Sequence, residues 1–138
     1  MNRSLSLFAV IGYTALAGCR ALPEPVCEST LLVPTRVVSG PRTLSLGQTA
    51  TYTLTYSTGT SCGQLGQLLT NTIDSLGTTG RTTRQVAVQA HYLGCTCTTD
   101  TLTTSQVAYQ FKPWRTGKFV LQFLTRRSQF ITDTLTVR

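Results

Sequence analysis

Between Ala50 and Tyr56 the chain reads Ala-Thr-Tyr-Thr-Leu-Thr-Tyr, with a Thr at every second position. A period of two sends one set of side chains to one face of an extended strand and the alternate set to the other. The same beat recurs at Val86, Val88, Ala90 and Tyr92, at Val107, Tyr109 and Phe111, and at Phe119, Leu121 and Phe123. Ile131, Leu135 and Val137 form a last face, with Asp133 in the same phase near an expected sheet edge. Leu31–Val38 reads as a weaker strand, demoted toward an edge by Pro34. Gln64–Ile73 stays open, because Leu65, Leu68 and Leu69 also suit a helical turn.

Turn residues separate these runs at Ser39-Gly40-Pro41, Gly77-Thr78-Thr79-Gly80, Lys112-Pro113 and Gly117. About a fifth of the residues are Thr, which fits the outward faces of half-buried strands. The fold class expected is therefore all-β, an antiparallel β-sandwich of about seven strands. No Gly-rich phosphate loop, heptad or internal repeat is present.

Upstream of the strands, Met1-Asn2-Arg3-Ser4 is a short basic segment, and Leu5–Leu16 is a mainly apolar run that ends in Leu16-Ala17-Gly18-Cys19. The run falls short of the roughly 20 apolar residues of a membrane-spanning helix, so it reads as a cleaved signal helix. The four-residue ending resembles the lipobox of bacterial lipoproteins. That resemblance implies cleavage after Gly18, a lipid on Cys19 and attachment to the cell envelope, with the outer membrane favoured. The competing reading is an ordinary secretory signal with Cys19 left for a disulfide. The domains expected are residues 1–18 as signal peptide, 19–29 as a tether stiffened by Pro23 and Pro25, and 30–138 as the sandwich.

With Cys19 lipidated, Cys27, Cys62, Cys95 and Cys97 remain, and an even number in an exported domain reads as two disulfides. Three connectivities are open. If every strand reverses direction, the ends next to Cys27 and Cys62 come to the pole of Cys95 and Cys97. Each of the first two is then expected to bond one of the second two. A competing soft metal site of His91, Cys95 and Cys97 requires free thiolates, so disulfides are preferred and no metal or cofactor is implied.

The segment Tyr109-Gln110-Phe111-Lys112-Pro113, then Gly117–Phe123, then Ile131–Val137 resembles the closing strands of bacterial immunoglobulin-like domains. Gly94–Thr98 and Ser61-Cys62-Gly63 resemble small secreted lipoproteins of that kind. The resemblance implies an immunoglobulin-like sandwich and says little of function, since that architecture hosts many roles. Phe119 stands at the position suited to a tyrosine corner, so that corner's hydrogen bond has no hydroxyl.

Catalysis is poorly supplied. Beyond the signal the chain has one His, Asp74, Asp100 and Asp133, and two Glu in or beside the tether. Neither a Ser-His-Asp site nor a carboxylate pair follows from that spacing, and the protein is expected not to be an enzyme. Asp74-Ser75-Leu76, Asp100-Thr101-Leu102 and Asp133-Thr134-Leu135 fit a short motif resembling an O-glycosylation signal, with chance in a Thr-rich chain as the alternative.

Charge is the remaining signal. The chain carries 12 Lys and Arg against five Asp and Glu, a net charge of +7. A basic surface favours polyanions. Strand parity collects Arg42, Arg81, Arg84, Lys112, Arg115, Lys118 and Arg138 at the pole opposite the tether, against Asp74, with Trp114 among them. The function expected is an envelope binding module that contacts an anionic glycan or a partner protein there, with nucleic acid not expected. The alternative is a structural or assembly lipoprotein without a separate ligand.

Overall fold

The computed structural model describes residues 27–75, 81–99 and 103–138. The signal, Cys19 and most of the tether lie outside them. The described chain forms nine strands and no helix: β1 (Glu28–Val33), β2 (Thr35–Ser39), β3 (Thr43–Leu44), β4 (Ala50–Tyr56), β5 (Gly63–Ser75), β6 (Arg81–Leu93), β7 (Ser105–Phe111), β8 (Gly117–Arg126) and β9 (Gln129–Val137). Six of them make one sheet, and β2-β4-β7 make a second, three-stranded sheet. β1 already contains Glu28 and Ser29, which the sequence assigns to the tether.

β6 is the axis of the larger sheet. β5 pairs with it from Ser75↔Arg81 to Gly63↔Tyr92 and so takes one whole edge. The other edge is shared end to end, by β8 along Thr82–Val86 and by β1 along Val88–Leu93. β9 then pairs with β8, and the two-residue β3 caps the far end of β9.

Two pairings, β6 with β8 and β3 with β9, are parallel. The antiparallel sandwich read from the spacing therefore holds only in part. Alternation reports which face a residue occupies; it carries no information about the direction of the neighbouring strand.

The core lies between the sheets. Ala50, Tyr52, Leu54 and Tyr56 of β4 and Tyr109 and Phe111 of β7 face Val86, Val88, Ala90, Phe119, Leu121, Phe123, Leu135 and Val137. Phe123 sits at its centre, 5.7 Å from the Tyr52 ring and 6.2 Å from Tyr109. Full burial of such a ring contributes about 2–3 kcal/mol.

One sequence expectation changes, and one segment left open takes a definite form. Leu31–Val38 is not one strand: the chain breaks at Pro34, with β1 in the larger sheet and β2 in the smaller. Pro34 has no N–H to donate to a ladder, so the break falls where the chain crosses between sheets. Both flanking residues, Val33 and Thr35, are buried at that crossing.

Gln64–Ile73 is extended, within β5. Its helix-like spacing arises from a bulge, because the register shifts between Leu65 and Gln67. Leu65 lies opposite Ala90 and Leu68 opposite Val88, on the same face. One extra residue turns a period of two into a spacing of three.

The register also fixes two poles. β1, β2, β3, β5, β7 and β9 run one way, and β4, β6 and β8 run the other. The upper pole holds Cys27, residues 57–62, 94–99 and the 127–128 turn. The lower pole holds residues 40–49, 112–116 and Arg138.

Candidate functional site at the cationic pole

Gly117–Arg126 and Arg81–Leu93 start at the lower pole, and their first turns of side chains shape it. Phe119 and Thr82, opposite each other in the parallel register, are fully buried. Lys118 and Arg81, one residue closer to the pole, are exposed side by side. Lys112 follows β7 into the connecting loop, where Pro113 is buried and Lys112 is exposed.

Trp114 is 52% exposed and still packs edge-on against Phe119 at 5.2 Å and Phe111 at 6.3 Å. It closes the end of the core with one side of its ring and offers the rest to solvent.

Arg42 directly precedes the capping strand β3, and Arg138 directly follows β9, the strand it caps. The Thr136 N–H donates to the Arg42 carbonyl at 2.8 Å, and the Arg138 N–H donates to Leu44 at 3.0 Å. Arg138 lines a shallow polar hollow of about 230 Å³ with Thr43, Leu44, Ser45 and Gln48. Behind the hollow, Gly40 packs flat on Tyr52, where an added Cβ would lie 2.1 Å from the ring. The Tyr52 hydroxyl donates to the Pro41 carbonyl at 2.8 Å. The hydroxyl that Phe119 lacks is thus supplied to this end of the sandwich by a different residue. Burial, then Asp133 and Tyr109 nearby, raises the Tyr52 pKa well above its ordinary value.

Two of the seven cations are not free. Arg115 donates through Nη2 to Thr82 Oγ1 at 2.8 Å and lies 5.6 Å from the centre of the Phe119 ring. It braces the pole from within. Arg84 falls in the inward phase of β6 and reaches sideways over β5, donating to Thr72 Oγ1 and to Thr70 Oγ1. Arg42, Arg81, Lys112, Lys118 and Arg138 are exposed. Thr82, Gln48 and Ser45 were not singled out by the sequence, because a Thr, Gln or Ser at a strand end gives no pattern.

The described residues contain one ion pair, and it lies at the upper pole: His91 Nε2 to Glu28 Oε1 at 2.9 Å, with Thr30 Oγ1 3.1 Å from His91 Nδ1. Asp74, Ser75 and Thr101, by side chain, fall outside the description. Thr134 is exposed on β9, where its N–H donates to Asp133 Oδ1 at 2.8 Å.

Cys27 is bonded to Cys95, and Cys62 to Cys97, with Cα separations of 4.9 and 5.5 Å. Cys27 precedes β1, Cys62 precedes β5, and Cys95 and Cys97 follow β6. The bonds therefore clamp β1 and β5, two of the strands paired with β6, to the loop that leaves it. Gly94 opens that loop with φ +107° and donates its N–H to the Cys27 carbonyl at 2.9 Å. A residue with a Cβ is strained in that left-handed conformation.

No family model, curated protein or solved structure matches this chain.

Proposed function

We propose that this protein is a lipid-anchored, non-enzymatic binding module of the cell envelope, with an immunoglobulin-like sandwich that grips an anionic glycan at its lower pole. One observation carries the reading. Arg42, Arg81, Lys112, Lys118 and Arg138 stand exposed around a half-open Trp114, and the one ion pair among the described residues is at the other end. Grouped cations raise the local concentration of a polyanion, and an indole face suits the apolar side of a sugar ring. The lipobox and the secreted-type disulfides support export and attachment through Cys19. The switch of sheets at Pro34 supports the immunoglobulin-like assignment, while the parallel β6–β8 pair departs from it.

The test is binding of the full chain to alginate and to uncharged dextran over a series of salt concentrations. The expected result is alginate binding that weakens steeply with salt, as for exposed charges. Neutralising Arg81, Lys112 and Lys118 together should abolish it. Arg84→Gln, which removes a cation held against β5, should change it little. Binding that ignores both salt and the triple change would leave the structural lipoprotein without a ligand as the better account.

A further inference from the structure

The sandwich has several sheet edges, and most are guarded. β1, at one end of the larger sheet, is only six residues long, begins at Glu28 and stops at Pro34. β2 follows Pro34, carries Arg36 and contains a register shift between Thr35 and Val37. β7 is seven residues long and is followed at once by Lys112-Pro113. β9 carries Asp133 on its inward face and is capped by β3. Short strands, Pro, bulges and inward charges are the devices that stop a free edge from recruiting another chain.

β5 has few of them. It is 13 residues long and carries no charge and no Pro from Gly63 to Ile73. Its bulge at Gly66 lies near the upper end, leaving Gln67–Ser75 in unbroken register with β6. Among the described residues, β6 is its only pairing partner. Leu69 and Ile73, 37% and 44% exposed, occupy its outer face.

We propose that the free edge of β5 pairs with β5 of a second copy of this chain, antiparallel, about a two-fold axis through Asn71. The axis must pass through a residue, because residues opposite each other in a ladder share a face. Centred on Asn71, Leu69 lies opposite Ile73 of the other copy, twice over, and Thr70 lies opposite Thr72. Centred on Thr70, both apolar residues meet amides, Leu69 against Asn71 and Ile73 against Gln67. Centred on Leu69, the pairing runs into the Gly66 bulge. Self-complementarity selects the Asn71 register and a second copy as the occupant.

The outer face extends the match. Leu69 lies opposite Ala87, and beyond it Leu124 lies opposite Phe130, so an apolar row crosses the sheet to the new seam. These residues line one hollow together with Asn71 and Gln85. The paired domains run head to tail, with their cationic poles at opposite ends. On a surface holding Cys19 the pair would lie flat.

The inference does not rest on polyanion binding, and salt separates the two. Both copies are basic, and their Arg84 side chains approach over Thr70 and Thr72. Dimer formation should therefore strengthen as salt rises, where alginate binding weakens.

The experiment uses the full chain. Asn71→Cys should form a disulfide-linked dimer in air, since facing Cα atoms in a ladder lie within disulfide reach. Leu69→Cys should not, because that residue faces Ile73. Leu69→Lys should lower the association constant about tenfold in sedimentation, through loss of both Leu–Ile pairs. Its melting temperature, measured at concentrations where both proteins are monomeric, should stay unchanged. Equal cross-linking of Asn71→Cys and Leu69→Cys would overturn the proposal. So would a monomer at all concentrations, or a cross-link formed only to a different protein.

Discussion

The two poles of this sandwich are closed by different physics. At the upper pole residues 94–99 are exposed and bury no large side chain; two disulfides hold the strands there. At the lower pole Trp114, Phe111 and Phe119 close the core with rings, and Tyr52 pins the Gly40-Pro41 turn. A covalent closure answers to redox conditions, while an aromatic one answers to packing. The binding surface proposed here sits on the aromatic end, which a reductant does not touch.

Reduction is the strongest way to break that comparison. The bonded residues are separated by 68 and 35 positions, and loop-closure arithmetic gives each bond about 4 kcal/mol of stabilisation. Replacing Cys27 and Cys95 by Ser should lower the melting temperature by more than 10 °C, roughly 4–8 °C per kcal/mol in a domain of this size. Replacing Cys62 and Cys97 should cost slightly less. Hydrogen exchange should rise first in β1 and the upper halves of β5 and β6. If the amides of residues 40–49 and 112–116 lose protection to the same degree, the poles are not independently closed.

How much of this was legible in the sequence follows from what an alternating pattern encodes. It records faces, so β4, β6, β7, β8 and the core residues along them could be read directly from Tyr52, Val88, Tyr109 or Phe123. It does not record partners. The parallel β6–β8 pair, the split at Pro34 and the shared edge of β6 are tertiary choices with no local signature. β5 was ambiguous because the Gly66 bulge imitates a helical spacing. The cationic pole could be placed from strand parity, since charge position follows chain direction. That Arg84 and Arg115 are engaged could not be seen, because in a chain so rich in Thr their acceptors Thr70, Thr72 and Thr82 look like any other.

Trp114→Ala sharpens the comparison from the other end. Burying a large aromatic fully is worth roughly 3–5 kcal/mol on truncation, and this ring is half exposed. A loss of about 2 kcal/mol is expected in chemical denaturation, with the disulfides intact. The loss should be the same in the fully reduced protein. A much larger loss after reduction would mean that the two closures support each other across the core.

The smallest expected effect tests the Tyr52 hydroxyl and shows its sign through pH. Tyr52→Phe removes the bond to the Pro41 carbonyl and should cost about 1 kcal/mol at neutral pH. Desolvation, with Asp133 and Tyr109 adding to it, makes the folded protein hold this proton more tightly than the unfolded chain does. The unfolded chain releases it near 10.0, the ordinary value for a tyrosine. Stability from this group is therefore fully present below pH 10 and is lost progressively as pH rises beyond it. The wild type should lose stability in alkali more steeply than Tyr52→Phe, so the two denaturation curves converge as pH climbs. Tyr92, whose pKa is also raised by burial, remains in both proteins and cancels in the difference. Parallel curves from pH 8 to 11 would mean that the Tyr52 hydroxyl is ionised as readily inside the lower pole as in water.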